Sequence, residues 1–421
     1  MVQLSDDCFT NGDRLMTVAE ALEHIEKHVT RVAAVEYVSL RGAARRVLAR
    51  DVIATMNLPP HGNSAVDGYA VAHSSLSPER ETVLPVGGRV AAGRLLDGEL
   101  RQDEAIRIFT GAPMPEGADT VIMQEDCIAI DGVDGQWVRI KPGIRKGANH
   151  RHAGEDVAAG AVALSAGRRL LPADLGLAAA LGRDRLWVFR RLRVALLSTG
   201  DEVCDPGKPL PPAAIYDSNR VMLAAWLEGL GCVVDDLGIC SDRPAMLAET
   251  LSDAAIGHDL IVTSGAVSIG EEDHIRGAIE RVGTLHFCRL AIKPGKPVAL
   301  GQIRGVPLIG LPGNPVAVFV TFAEIARPMI LKLAGAAPAP LGRFPVRAGF
   351  AYRKKPGRRD YLRARLERDP DGLVALKYPH DGSAILSSIV QSDGLVVLDE
   401  CQGDLAAGSI VDFIPFAEAL S

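Results

Sequence analysis

The chain has no excess of positive charge: 46 Lys and Arg stand against 52 Asp and Glu, a formal net charge of -6. That balance argues against a general nucleic-acid binder, which would carry a basic field. The seven cysteines, at 8, 127, 204, 232, 240, 288 and 401, are odd in number, scattered and never spaced CxxC. Neither a disulfide framework nor a zinc knuckle is indicated, and a reducing compartment, the cytoplasm, is expected. The amino terminus, MVQLSDDCFTNGDRL, has acids where a secretory leader needs a basic flank and an apolar run. The longest uncharged stretch, 305–323, has the length of a membrane span, but Pro307, Pro312, Asn314 and Pro315 interrupt it. It is read as a buried strand, a tight loop and the start of a helix. Neither GxGxxG nor a GxxxxGKS or GxxxxGKT motif occurs, which disfavours a Rossmann dinucleotide site and a Walker ATPase.

What is present is a packed globular chain of 421 residues, 48% of them apolar. At about 100–200 residues per domain, roughly three domains are expected. Thr17 and Glu20 form a capping box ahead of Val18, Leu22, Ile25 and Val29, whose spacing predicts a first helix ending near Arg31. From 54 to 141 short apolar runs broken by Gly and Pro (VLPVGG, AIRIFTGAPMP, ADTVIMQED) indicate a mainly β unit, inserted into a helical and extended unit formed by 1–53 and 142–190. From 191 to 335 buried-strand runs (RVALLS, CVVDDLG, DLIVTSG, VPLIGLP) alternate with helices starting near Ser218, Pro244, Glu272 and Pro315. This pattern predicts a doubly wound parallel α/β domain with its ligand at the carboxyl ends of the strands. After an Ala/Pro linker, 341–421 offers five short strand patterns, as in a small β barrel.

The chemistry concentrates at the predicted strand ends. Thr199-Gly200-Asp201-Glu202, Ser241-Asp242 and Gly270-Glu271-Glu272-Asp273 bring carboxylates toward one crevice. Converging carboxylates repel one another unless a cation joins them, and oxygen donors without nearby His or Cys point to Mg²⁺. The plainer alternative is a set of helix caps and exposed first-turn acids. Beside them, Lys293 and Lys296 sit in a Pro/Gly turn, IKPGKP, that could hold a phosphate before either lysine closes a salt bridge. Small residues in Ser198-Thr199-Gly200, Ser264-Gly265 and Leu311-Pro312-Gly313-Asn314-Pro315 let backbone N–H groups approach an anion. His24 and His28 share a helix face, Arg151 lies between His150 and His152, and the run 353–359 is read as an exposed basic hairpin. No covalent nucleophile is indicated.

The order of these motifs resembles the molybdopterin molybdenumtransferases, the MoeA proteins of bacteria and the E domain of gephyrin. The matching segments are NSAVDGYA (63–70), FTGAP (109–113), STGDE (198–202), YDSN (216–219), SGAVSIGE (264–271), IKPGKP (292–297) and LPGNP (311–315). The resemblance implies a homodimer that takes adenylylated molybdopterin and molybdate and inserts molybdenum at the dithiolene, with Mg²⁺-dependent release of AMP. Carried over by motif, Glu202, Asp242 and Asp273 would serve the metal and the phosphates. Arg289, Lys293 and Lys296 would hold phosphate or molybdate, and Pro312, Gly313, Asn314 and Pro315 would shape the pterin loop. Asp67 and Thr110 would reach the cleft from the partner subunit. The chain departs from the family pattern at Ala266, where glycine is usual, at Arg289, where lysine is common, and at Val66, where methionine is frequent. The molybdopterin adenylyltransferase of the preceding step and recipient molybdoenzymes are implied partners. Adenylyltransferase activity and a gephyrin-like scaffold role are the alternative readings. No nucleic acid or membrane partner is expected.

Overall fold

The computed structural model describes residues 15–265, 274–295 and 297–419. Its centre is a six-stranded sheet in the order Val233–Cys240, Arg193–Thr199, Leu260–Ser264, Val306–Leu311, Pro297–Ile303, Gly283–Arg289. The first four strands run parallel and are the four read from the sequence. Because side chains alternate across a strand, Val194 and Leu196 face one layer of helices while Ala195 and Leu197 face the other. On the first face Leu223, Trp226 and Leu227 of the helix Ser218–Gly229 pack with Phe319 and Phe322. On the second lie Leu247 and Leu251 of Pro244–Ala254 and Ile279 of His274–Val282. Burial on both faces explains why the inner strands read as unbroken apolar runs.

The sheet is nonetheless mixed, which corrects the expectation of a purely parallel one. Pro297–Ile303 runs antiparallel to both its neighbours. Only Arg304 and Gly305 separate it from Val306–Leu311, a hairpin connection too short for any parallel crossover.

The capping box forms: Thr17 Oγ1 accepts from Glu20 N at 3.2 Å, and Glu20 Oε2 accepts from Thr17 N at 2.8 Å. The helix ends at His28, three residues before the expected point. It buries Val18, Ala21 and Ile25 in the core of the α/β unit, against the long helix of 315–333. That helix carries a π-helical segment, Phe322–Ala326, in its middle. The expected helical frame around the inserted β unit is built more from paired strands (Val35–Ser39 with Arg185–Phe189, Val52–Ile53 with Val162–Leu164, Asn63–Ser64 with His150–Arg151) than from its two short helices, Leu40–Ala43 and Pro172–Ala180. The β unit itself is a six-stranded sheet spanning 68–140.

The C-terminal region closes into a five-stranded barrel, as expected. Its strands Phe344–Ala348, Arg359–Asp369, Gly372–Lys377, Gly394–Leu398 and Ile410–Pro415 join edge to edge, and Arg359–Asp369 pairs with Gly394–Leu398 to complete the ring. A short strand of the α/β unit, Ile292–Lys293, pairs in parallel with Arg359 and Asp360 and stitches the barrel to the sheet's functional edge. Among the described residues no helix is long and apolar enough to cross a membrane, and 305–323 forms the strand, loop and helix start read from its prolines.

Candidate active site

The four parallel strands end together at Thr199, Cys240, Ser264 and Leu311. Three of the following loops meet through glycines. Gly265 has φ +99°, and a Cβ there would lie 2.5 Å from the carbonyl oxygen of Thr199. Gly313 stands against it, with the position of its missing Cβ 3.7 Å from Gly265 Cα. Gly200, at φ +132°, lets the Glu202 carboxylate fold back to within 2.5 Å of where a Cβ would sit. At Gly265, where the facing atom is backbone, only glycine tolerates both that conformation and that proximity, and the predicted small-residue segments are brought into one crevice there; at Gly200 the positive φ alone favours glycine.

Behind the glycines, Ser198, Thr199 and Ser264 are buried. The side-chain amide of Asn219, in the first turn of Ser218–Gly229, donates to Ser264 Oγ at 3.1 Å and to the Gly313 carbonyl at 2.6 Å. Ser264 Oγ in turn donates to the Pro312 carbonyl at 3.5 Å. Among the described residues, Asn219 Oδ1 and Ser198 Oγ are buried without a hydrogen-bond partner. Polar atoms so placed are costly unless something completes them, and a polar ligand in the crevice could do so. Asn314 precedes the helix opened by Pro315 and makes no side-chain cap.

Asn219 is held in turn by a charged hub. Asp217 caps its helix through Arg220 N at 3.0 Å, and Arg220 Nε donates to Asp217 Oδ2 at 2.9 Å. Arg220 Nη1 reaches Asp236 at 2.6 Å, and Nη2 reaches Asp205. Burial works against the charge on Arg220, but the hydrogen bonds to Asp236 and Asp217 outweigh it and raise its pKa. The hub thus fixes the loop of 201–216, which carries Glu202.

Of the three acids expected at a cation, Glu202 is exposed and Asp242 half-exposed at adjoining strand ends. Asp242 N donates to Asp201 Oδ1 at 3.3 Å, tying the two loops together. Asp273, Lys296 and Ala266 lie outside the described residues. Among the described residues no group of three His, Cys, Asp or Glu side chains is placed to hold a metal. His24 and His28 stack on one another, and His28 Nδ1 contacts the His24 carbonyl.

The lysine turn departs from expectation. Lys293 Nζ donates to Tyr352 Oη at 2.9 Å, and Tyr352 Oη donates to Asp360 Oδ2 at 3.0 Å. Asp360 itself lies 3.9 Å from Lys293 Nζ. The pairing of Ile292–Lys293 with the barrel strand puts this acid beside the ammonium, so Lys293 does not await an anion unpaired. Arg289, half-buried, ends the antiparallel strand leading into the turn, and its carbonyl accepts from Met16 N at 2.8 Å. Gly295 packs the turn against Thr321 of the long helix. The basic run 353–359 is likewise more integrated than an exposed hairpin. Lys354 is buried with Nζ on the Gln402 carbonyl at 2.9 Å, and Arg359 pairs with Glu400 at 3.1 Å.

Asp67 and Thr110 meet each other on the β unit. Thr110 N and Oγ1 both donate to Asp67 Oδ1 at 2.8 Å, and these bonds, with Arg107 nearby, hold the Asp67 carboxyl below its ordinary pKa. Neither residue hydrogen-bonds to the crevice within one chain, among the described residues. Sequence reasoning assigned no role to Asn219, Arg220, Tyr352 or Asp360. An Asp-Ser-Asn-Arg start to a helix was the available signal for the first two.

Known proteins place this geometry. Residues 16–182 match the MoeA N-terminal region (domain I and II), 195–332 a probable molybdopterin binding domain and 345–416 the MoeA C-terminal region (domain IV). The molybdopterin molybdenumtransferase of Haemophilus influenzae is 38% identical over 409 residues, which is 96% of this chain and 100% of that protein. Molybdopterin molybdenumtransferase 2 of Mycobacterium tuberculosis is 38% identical over 383 residues, 88% of this chain and 93% of the relative. The crystal structure of the molybdopterin biosynthesis MoeA protein of Pyrococcus horikoshii OT3 superposes with a TM-score of 0.80 at 27% identity, covering 96% of this chain and 100% of that one. The chain belongs to the molybdopterin molybdenumtransferase family of molybdenum cofactor biosynthesis.

Proposed function

We propose that this protein inserts molybdate into adenylylated molybdopterin and releases AMP in a Mg²⁺-dependent reaction. The observation that carries the reading is the meeting of three glycine loops over Asn219 Oδ1 and Ser198 Oγ, beside carboxylates and a lysine turn. Ser198, Thr199, Gly200, Ser264 and Gly265 form the floor against which the pterin and its phosphates lie. Pro312, Gly313, Asn314 and Pro315 form the wall that orients the pterin, at the start of a helix whose N–H groups favour an anion. Arg289, Lys293 and Lys296 take the phosphates and the tetrahedral dianion, with Lys293 leaving Asp360 to do so. Glu202, Asp242 and Asp273 offer hard oxygen donors, which fit Mg²⁺. When bound, the cation would offset charge on the phosphoryl oxygens of the leaving AMP. No protein nucleophile is needed, because the sulfur ligands to molybdenum belong to the substrate.

Asp67 and Thr110 face outward on the β unit, so the reading includes a homodimer in which they complete the partner's crevice. Free thiols at Cys127, Cys204, Cys232, Cys240 and Cys401 agree with a cytoplasmic setting. The adenylyltransferase of the preceding step and recipient molybdoenzymes are the expected macromolecular partners. Matches on either side of the central domain, at 16–182 and 345–416, favour the transferase over the adenylyltransferase and scaffold alternatives. The test supplies purified protein with adenylylated molybdopterin and molybdate and follows AMP release. Release that depends on Mg²⁺ and falls at least about a hundredfold in Asp273→Asn supports the reading. Release indifferent to both changes overturns it.

A further inference from the structure

Asp67 and Thr110 come from segments 43 positions apart, and one guanidinium touches both. Arg107, in the strand Ala105–Ile108, lies directly opposite Tyr69 of Gly68–Val71. Its Nη1 donates to the Gly68 carbonyl at 3.0 Å, and its Nη2 donates to Gln124 Oε1. Gln124 N in turn donates to the Asp67 carbonyl at 3.0 Å. The carbonyls on both sides of the 67–68 step are therefore tied, directly or through Gln124, to one side chain. The same guanidinium packs on the ring of Tyr69, 5.0 Å from its centroid, and on that of Phe109, 4.8 Å away, the residue next to Thr110. The backbone leaves no slack here: a Cβ on Gly68 would overlap the Ile122 carbonyl oxygen.

We propose that Arg107 is a positioning residue of the reaction, locking the Asp67–Gly68 turn to the Phe109–Thr110 segment and thereby aiming the Asp67–Thr110 pair. The inference rests on the role given to that pair under the proposed function. A planar fork that donates in two directions while stacking on aromatic rings is specific to arginine, and lysine supplies only the charge. A neighbour provides the internal control. Arg89 also packs on the Phe109 ring, at 4.7 Å, but is exposed, and its side chain makes no hydrogen bond or ion pair among the described residues. Arg107 is the charged group that acts on the Asp67 carboxyl, and Gln124 Nε2 holds Glu125 at 3.1 Å along the turn of Gln124–Asp126.

The experiment compares Arg107→Gln, Arg107→Lys, Arg89→Gln and Asp67→Asn in the full chain by AMP release from about pH 3 to about pH 9, so that the window reaches the Asp67 titration, with thermal melting as the check on folding. Arg107→Gln is expected to lower kcat at least about tenfold, with KM within about twofold, and to move the acid limb of kcat to higher pH. Arg107→Lys keeps the acid limb but still loses kcat severalfold, and Arg89→Gln keeps both parameters within about twofold. Parental kcat and acid limb in folded Arg107→Gln overturn the inference. Should that variant not fold, parental kcat in Arg107→Lys overturns it equally. Asp67→Asn separates the two levels: if it is inactive, only the role of Arg107 falls, and if it too is fully active, the assignment of Asp67 falls as well.

Discussion

Asn219 holds Gly313: its side-chain amide donates to that carbonyl at 2.6 Å while also reaching Ser264 Oγ at 3.1 Å. One residue in the first turn of a helix thus ties together the loops that follow two adjacent parallel strands. Asn219→Ala leaves the Gly313 carbonyl and Ser264 without that donor, and a loss of about 2 kcal/mol in denaturant unfolding is expected. Because the loop proposed to orient the pterin is released as well, kcat/KM should fall at least about tenfold. Asn219→Asp should be worse for activity, since it sets a carboxylate against a carbonyl oxygen.

Glycine at 265 answers two constraints that a paired substitution separates. Gly207 has a similar backbone, φ +87°, with nothing within 4 Å of an added Cβ, whereas at Gly265 the Thr199 oxygen is 2.5 Å away. Gly207→Ala is expected to cost about 1 kcal/mol of backbone strain. Gly265→Ala should cost at least about 2 kcal/mol more and abolish turnover, as the two loops are driven apart. Chemical denaturation of the two variants side by side makes the comparison, and equal costs would show that the close approach is unimportant.

Lys293 is held beside the barrel acid Asp360, and the proposed function gives it a second electrostatic partner, an incoming anion. Removing the acid with Asp360→Asn should lower KM for adenylylated molybdopterin about threefold and slightly lower the melting temperature, as the stitch between barrel and crevice weakens. Lys293→Met should raise KM at least about tenfold. Steady-state kinetics in which both changes raise KM alike would mean that Lys293 serves the barrel and not the substrate.

Glu324, buried in the π-helical segment, gives stability a pH dependence of known sign. Burial raises its carboxyl pKa above the ordinary 4.5, outweighing Arg343 at 3.7 Å and Arg359. Tyr361 and Glu400 from the barrel and Arg327 from its own helix also face it. The folded state therefore binds this proton more tightly than the unfolded chain does. Its contribution is complete below about pH 4.5 and is lost as pH rises through the folded value. Glu324→Gln should melt close to the parent at about pH 4 and above it at about pH 8. A difference that shrinks with rising pH would contradict the assignment.

The parts of the fold legible in the sequence are those fixed by local pattern. The runs at 193–199 and 260–264 announce strands covered on both faces, Thr17 and Glu20 announce the first helix, and turn residues space the five barrel strands. The antiparallel strands 283–289 and 297–303 were not separable from the turn between them, because pairing depends on where the chain returns. The first helix showed an apolar face but not that this face joins the α/β core. At the site, the glycine loops were legible because close approach demands glycine wherever it occurs. The pairing of Lys293 with Asp360 was not, since Asp360 is 67 positions away and meets it only through the barrel. Asn219 closes the YDSN match at 216–219, but that its side chain reaches two strand ends at once shows only in the fold. Arg107, likewise, gains its meaning from Gly68 and Phe109 on opposite sides of a strand pairing.

Under the proposed function, metal insertion and AMP release are one reaction in this crevice. The most direct test measures both products in one incubation of the wild-type protein with adenylylated molybdopterin, molybdate and Mg²⁺: molybdenum bound to pterin, and AMP set free. The expected result is equal amounts of the two, both lost when Mg²⁺ is withheld, with no requirement for ATP. AMP released without molybdenum on the pterin, or turnover that consumes ATP, would contradict the account.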